Sequence, residues 1–178
     1  MVGLIAAPPA MAEDDAAASF LTKLYMTVCI PNVGQPANVR AWAAEKHLPP
    51  VTSGVALSVF VGPGDHGGAW AVPSAFGSFA LSLRGESQAC AVWARTASAS
   101  EVEEHFKRIL ENAARPGVDV VLVKDSRDAT AGGSVHTLTY SVTGSDKRVG
   151  GFLYTMQVVD RPGGAFQASM QTARFGNP

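Results

Sequence analysis

A glycine-rich segment at 62–68 contains a carboxylate next to an imidazole, because Asp65 stands directly before His66 there. A carboxylate that orients an imidazole can make the general base of a hydrolase. Neighbouring residues seldom point the same way, however, and the chain has no G-x-S-x-G nucleophile motif. The segment also lacks the G-x-x-x-x-G-K-S/T pattern of a phosphate-binding loop. We therefore expect an exposed loop that contributes to partner binding.

The histidines show no pattern typical of a metal site. None of the four stands in an H-x-H, H-E-x-x-H or cysteine–histidine arrangement, so the spacing predicts neither a metal nor another cofactor. His136 shares a predicted strand face with Leu138 and Tyr140, which favours a hydrogen-bonded core histidine over a pocket residue. A periplasmic hydrolase that uses His66 or His136 is the alternative to a binding protein.

Trp93 is the aromatic residue that strand parity singles out. On a predicted strand over 88–95, Cys90 and Val92 face one way and Trp93 faces the other. If that second face is open to water, Trp93 is an exposed aromatic side chain, which favours a contact with a partner. We predict that Trp93, together with the loop carrying Asp65 and His66, forms a binding surface with no catalytic residue.

Two cysteines, Cys29 and Cys90, are present in the chain. An even number of cysteines is typical of a disulfide when the protein enters an oxidising compartment. We predict that these two are joined. The absence of a C-x-x-C pair argues against a redox site.

The N-terminal residues point to export. A short apolar run at 2–7 precedes two prolines, and Ala-Met-Ala at 10–12 is a small-x-small pattern that signal peptidase accepts. We expect a signal peptide over 1–12, truncated at its start, and a mature chain over 13–178 that is periplasmic or secreted. No stretch has the 18 or so apolar residues of a transmembrane helix.

The periodicity of apolar residues predicts both helices and strands. Helices are expected over 15–29, from Pro36 to before Pro49, and after a capping box formed by Ser100 and Glu103. Strands are expected at 55–61, 69–73, 78–84, 88–95, 118–124, 134–142, 151–159 and 165–174. Short connections between them indicate antiparallel pairing. The fold predicted is α+β, an antiparallel sheet of about seven or eight strands with helices packed on one face.

Composition limits the classes of partner. The chain has 178 residues and a net charge of −1, from 14 basic and 15 acidic side chains. A chain of this length can bury one core, so we expect a single domain. Without an excess of positive charge, nucleic acid is not an expected partner. We expect an unidentified envelope protein or a small ligand instead.

Three stretches carry a resemblance to known sequences: WAVP at 70–73, GSFALSLRG at 77–85 and CAVWA at 90–94. With the helix and strands that follow, they resemble a family of small exported proteobacterial proteins of unassigned function. The resemblance implies export and a single domain, and it carries over no catalytic residue. We therefore predict an exported, non-enzymatic binding protein of the bacterial envelope, such as an inhibitor or immunity-type protein.

Overall fold

A computed structural model of the protein describes residues 11–145, 150–161 and 163–176. Within them the helical elements are α1 (Met11–Leu24), a π-helical turn (Tyr25–Cys29), α2 (Pro36–Glu45), α3 (Gly54–Val61) and α4 (Ala99–Ala113). The strands are β1 (Gly68–Val72), β2 (Phe79–Leu83), β3 (Cys90–Ala94), β4 (Val118–Thr130), β5 (Gly133–Gly144), β6 (Gly151–Val159) and β7 (Ala168–Phe175). Residues 1–10 of the predicted signal peptide lie outside the described residues. In the described ranges, no helix is long and apolar enough to span a bilayer.

The strands of the described chain form one antiparallel sheet, in the order β1-β2-β3-β7-β6-β5-β4. Strands β1 to β3 and β4 to β7 are two meanders, and α4 connects them. The last strand, β7, returns to pair with β3 in the middle of the sheet. This topology leaves β1 and β4 as the two edges. It confirms the predicted α+β class with an antiparallel sheet.

Residues 54–61 form helix α3, so the strand predicted over 55–61 is wrong. Ser53 caps the helix, because its hydroxyl accepts a hydrogen bond from the Ala56 N–H at 3.5 Å. Gly62 ends the helix at a φ of +94°, a conformation that favours glycine. A short apolar run fits a buried helix as well as a strand. Here the caps and the packing of α3 against β1 and β2 decide for the helix.

Helix α4 begins earlier than its predicted cap. Ser98, not Ser100, is the N-cap, and its hydroxyl accepts a hydrogen bond from the Glu101 N–H at 3.4 Å. Glu103 is therefore not part of a capping box. Its carboxylate instead accepts a hydrogen bond from Lys107 Nζ at 2.7 Å in an i,i+4 ion pair.

One face of the sheet is covered by α1, the π-helical turn and α4, and α2 packs against the π-helical turn. The largest fully buried side chains of this layer and of the strands beneath it include Leu21, Tyr25, Leu81, Phe106, Met156 and Met170. The predicted disulfide crosses the same layer. It joins Cys29, at the end of the π-helical turn, to Cys90, at the start of β3, with Cα atoms 5.3 Å apart.

The opposite face of β2 and β3 is covered by α3 and by the segment that carries Phe166. Ala80, Ala91 and Trp93 form a second small core there, with Phe60 of α3 and Phe166 packed against them. The helices thus do not all pack on one face, because the apolar segment before β1 folds as a helix on the other side. Farther along the sheet, partly exposed polar side chains such as Thr139 and Thr155 occupy this face.

Candidate functional site

Asp65 and His66 do not act as a pair. Asp65 Oδ1 accepts hydrogen bonds from the backbone N–H groups of Gly67, at 2.7 Å, and Gly85, at 2.6 Å. These bonds tie the glycine-rich loop to the end of β2, where the Gly67 backbone approaches the Leu83 carbonyl too closely for a side chain. His66 is exposed and makes no hydrogen bond or ion pair in the described ranges. The carboxylate therefore organises the loop, and a role of this loop in partner binding stays a prediction.

Trp93 is buried, so the expectation of an exposed aromatic residue is wrong. It faces away from Cys90, as parity predicts, but only 6% of its surface is exposed. Its Nε1–H donates a hydrogen bond to Ser82 Oγ at 2.8 Å, and its ring packs edge-on against Phe60 and Phe166. The sequence-based prediction assumed that this face of the sheet is open to water, whereas α3 covers it. Trp93 is thus a core residue of the second layer.

His136 lies between two carboxylates. Its Nδ1 is 3.0 Å from Glu103 Oε2 and its Nε2 is 3.0 Å from Asp125 Oδ1. Each ring nitrogen of His136 thus faces a carboxylate oxygen at hydrogen-bond distance. We call this cluster of Glu103, Asp125 and His136 the imidazole clamp.

The clamp is a structural contact between three elements. Glu103 belongs to α4, His136 to β5 and Asp125 to β4. Burial raises the pKa of Glu103, but the hydrogen bond and charge of Lys107, with the charge of His136, outweigh it and leave the pKa below its usual value. Both ring nitrogens of the buried His136 thus have carboxylate partners, which accounts for its place in the core. A hydrolase that uses His66 or His136 stays an alternative prediction.

The imidazole clamp lies next to an exposed apolar surface on the outer strand β4. Val121, Leu122 and Val123 are 54%, 49% and 58% exposed, three large apolar side chains in succession. Half of the backbone N–H and C=O groups of an edge strand also point away from the sheet. We call Val118–Leu122 and the adjoining Val123 the β4 edge.

The other edge of the sheet is closed. The Val51 N–H donates to the Ala69 carbonyl at 2.8 Å, and the Ala71 N–H donates to the Pro49 carbonyl at 2.9 Å. The segment before α3 thus pairs with β1 and occupies its outer backbone groups. Proline at this position is typical of a protected edge. The β4 edge has no equivalent cover in the described ranges.

A bulge divides β4 into two parts. The pairing with β5 is regular from Val118 to Leu122, shifts at Val123 and resumes at Lys124. The charged residues Lys124 and Asp125 follow the shift directly, and the clamp holds Asp125. Bulges and charges restrict pairing along an edge. The part of β4 before the shift is five residues long, and within it the Val118 N–H already donates to the Arg115 carbonyl at 2.9 Å. The apolar residues that remain for a further strand are therefore Val120, Val121 and Leu122.

The strand predicted at 118–124 does not by itself predict an exposed edge, although its apolar run departs from the usual pattern of a half-buried strand. Residues 120–123 are four consecutive apolar residues, which breaks the alternation expected of a half-buried strand. A continuous apolar run usually indicates a strand that is buried on both faces. Only the strand order shows that this run lies at an edge.

The described residues contain no group of three or more His, Cys, Asp or Glu side chains that could hold a metal ion. Similarity to other proteins adds no functional information: no model of a protein family matches the chain, and no curated protein matches its sequence.

Proposed function

We propose that the chain is an exported binding protein of the bacterial envelope, and that it holds an extended segment of a partner protein along the β4 edge. The observation that carries the proposal is the run of three half-exposed apolar side chains, Val121 to Val123, on an edge strand whose outer side pairs with no other strand of the described residues. Strand addition of this kind combines backbone hydrogen bonds with contacts of alternate side chains. It fits an inhibitor or immunity-type protein, which blocks a partner through a surface.

The energetics suit a short bound segment. Covering the exposed halves of the three apolar side chains contributes roughly 2–4 kcal/mol, before the cost of association. Each backbone hydrogen bond adds about 0.5–1.5 kcal/mol net. Both terms are needed to offset the loss of translational and conformational freedom on binding. The partner segment should therefore be extended in the bound state and apolar opposite Leu122.

The β4 edge is also preorganised. Pairing with β5 orders it on its inner side, and the imidazole clamp holds the strand immediately after the bulge. A strand that is already ordered loses little conformational entropy on binding. This favours recognition of a flexible segment of the partner, which becomes ordered on the preformed edge.

The disulfide and the signal-peptide pattern support the envelope location. A stable disulfide is typical of oxidising compartments such as the periplasm. Export is tested by N-terminal sequencing of the protein from a periplasmic fraction, where we expect Glu13 as the first residue. An intact Met1 on cytosolic protein would contradict it.

Strand addition is tested with peptides selected from a random ten-residue library against the full chain. Selected peptides should slow hydrogen exchange of the outward-facing backbone amides at 120–122, since the Val118 N–H already donates to the Arg115 carbonyl. Val121→Lys and Leu122→Lys should weaken peptide binding at least tenfold, because burying a lysine ammonium against an apolar segment has a large desolvation penalty.

Val55→Lys is the matched control, since Val55 is 81% exposed on α3 and lies on a different surface. It should leave peptide affinity unchanged. The proposal is overturned if selected peptides protect another element, if the β4 variants bind as well as the parent chain, or if the β4 edge is occupied by a second copy of the chain in solution.

A further inference from the structure

A groove of about 480 Å³ runs between α1, the π-helical turn and α4 on the outer side of the helical layer. Thr22, Lys23 and Met26 lie on one wall, and His105, Arg108 and Ile109 lie on the other. Its volume falls within the range of small-ligand sites. We propose that this groove binds a single amphiphilic carboxylate, with an apolar tail and an anionic head. The proposal is independent of the β4 edge.

The apolar part of the groove centres on Met26. Its side chain is 51% exposed although its neighbours Tyr25 and Val28 are fully buried. Met26 lies in the π-helical turn, a rare conformation that occurs frequently at functional sites. Methionine is flexible and polarizable, so it adapts to apolar ligands of different shape. Ile109 lines the opposite wall with only 7% of its surface exposed, so Met26 supplies most of the apolar contact for an alkyl chain.

The positively charged side chains that line the groove favour an anionic head group on the ligand. Lys23 and Arg108 line it from opposite walls, and no aspartate or glutamate is among the lining residues. Lys23 makes no ion pair within the described part of the chain. Arg108 uses Nη2 for Glu104 at 3.0 Å, which leaves its other N–H donors for a ligand. Such an arrangement favours an anion over a neutral or cationic head.

The NMR signals of the His105 ring can report ligand binding in the groove. The Thr22 hydroxyl donates its only proton to the Ala18 carbonyl at 2.9 Å, so His105 Nδ1 is the donor in its 3.1 Å contact with Thr22 Oγ1. This bond holds the ring against the wall of the groove. A ligand that enters the groove must therefore change the surroundings of the His105 ring.

The test uses the full chain and decanoate below its micellar concentration, with decanol and acetate as comparison compounds. Decanoate should bind at least tenfold more tightly than either one, and it should shift the NMR signals of the His105 ring. Lys23→Gln and Arg108→Gln should each weaken decanoate binding about fivefold or more, and Met26→Asp should abolish it. Lys46→Gln is the control, because Lys46 is an exposed lysine that pairs with Glu45 outside the groove.

Several results would overturn the proposal. Equal affinities for decanol and decanoate would show that the groove does not recognise the anionic head. Unchanged NMR signals of the His105 ring would show that decanoate binds outside the groove. Binding to phosphatidylglycerol vesicles without binding of monomeric decanoate would make the groove a membrane contact. Because Lys23 and Arg108 are exposed, their variants should fold as the parent chain does, so the test does not depend on Met26→Asp folding.

Discussion

His136 and Asp125 are bonded diagonally across the outermost pair of strands, with Nε2 and Oδ1 3.0 Å apart. In the strand register His136 stands opposite Arg127, not Asp125. Its other ring nitrogen bonds Glu103 of α4. One imidazole therefore connects the edge strand to the helical layer, next to the exposed apolar run of β4.

The two halves of the clamp should differ in strength. We expect double-mutant cycles to give a coupling of about 1–3 kcal/mol between His136 and Glu103. The coupling between His136 and Asp125 should stay below about 1 kcal/mol, because the Asp125 side chain is 57% exposed and water screens the pair. Urea unfolding of His136→Gln, Glu103→Gln, Asp125→Asn and the double variants measures both. The reverse order of couplings would contradict this geometry.

Acid should weaken the clamp through Glu103. Its pKa is lowered in the folded state. The ionised carboxylate thus stabilises the fold above its ordinary pKa of 4.5, and this contribution is lost as the pH falls through the lower folded value. Unfolding free energies measured from pH 6 to pH 3 should decline less steeply in Glu103→Gln than in the parent chain. Parallel pH profiles would show that Glu103 does not contribute.

Trp93 is expected to matter for stability and not for binding. Trp93→Ala should lower the free energy of unfolding by about 3–5 kcal/mol, because it leaves a cavity beneath α3. Trp93→Phe should cost less, about 1–2 kcal/mol, since it keeps most of the apolar area but leaves Ser82 without its donor. Phe76→Ala, at a site 47% exposed where the ring packs against Phe20, should lower the free energy of unfolding by only about 0.5–1.5 kcal/mol. A Trp93→Ala variant with the same free energy of unfolding as the parent chain would contradict the burial of Trp93.

The disulfide should be a major source of stability. Cys29 and Cys90 are 61 residues apart, and the chain-entropy relation gives about 4 kcal/mol for closing a loop of that length. The double variant Cys29→Ala/Cys90→Ala should therefore unfold at clearly lower urea concentration than the oxidised parent chain. The reduced parent chain should behave like the variant. Equal midpoints for all three would show that the bridge does not constrain the unfolded state.

Alkaline pH should destabilise the fold through Tyr25. Burial, and next the charge of Tyr154, raise the pKa of Tyr25 well above its ordinary value of 10.0. The unfolded chain ionises near that ordinary value while folded Tyr25 stays neutral, so the free energy of unfolding falls as the pH rises above 10.0. Urea unfolding between pH 8 and 11 should show a smaller decline in Tyr25→Phe. That variant should also lose about 1 kcal/mol at pH 8, because the Tyr25 hydroxyl donates to the Gln171 carbonyl.

Local sequence patterns determined the elements whose stability is mostly local. The periodicity of apolar residues predicts α4, and the alternation of 78–84 and 88–95 predicts β2 and β3. The two cysteines predict their own pairing because no other partner exists in the chain. In these cases neighbouring residues contain the information, so periodicity and composition are sufficient.

The burial of each face and edge of the sheet follows from the assembled fold and not from local sequence. Trp93 is buried because α3 packs on the side that parity left open, and the apolar run at 120–123 is exposed because the strand order places β4 at an edge. The clamp joins residues 33 and 11 positions apart from His136, so no local spacing could reveal it. Burial, edge position and charge pairing depend on contacts between distant segments, and such contacts exist only after the sheet has assembled around its core.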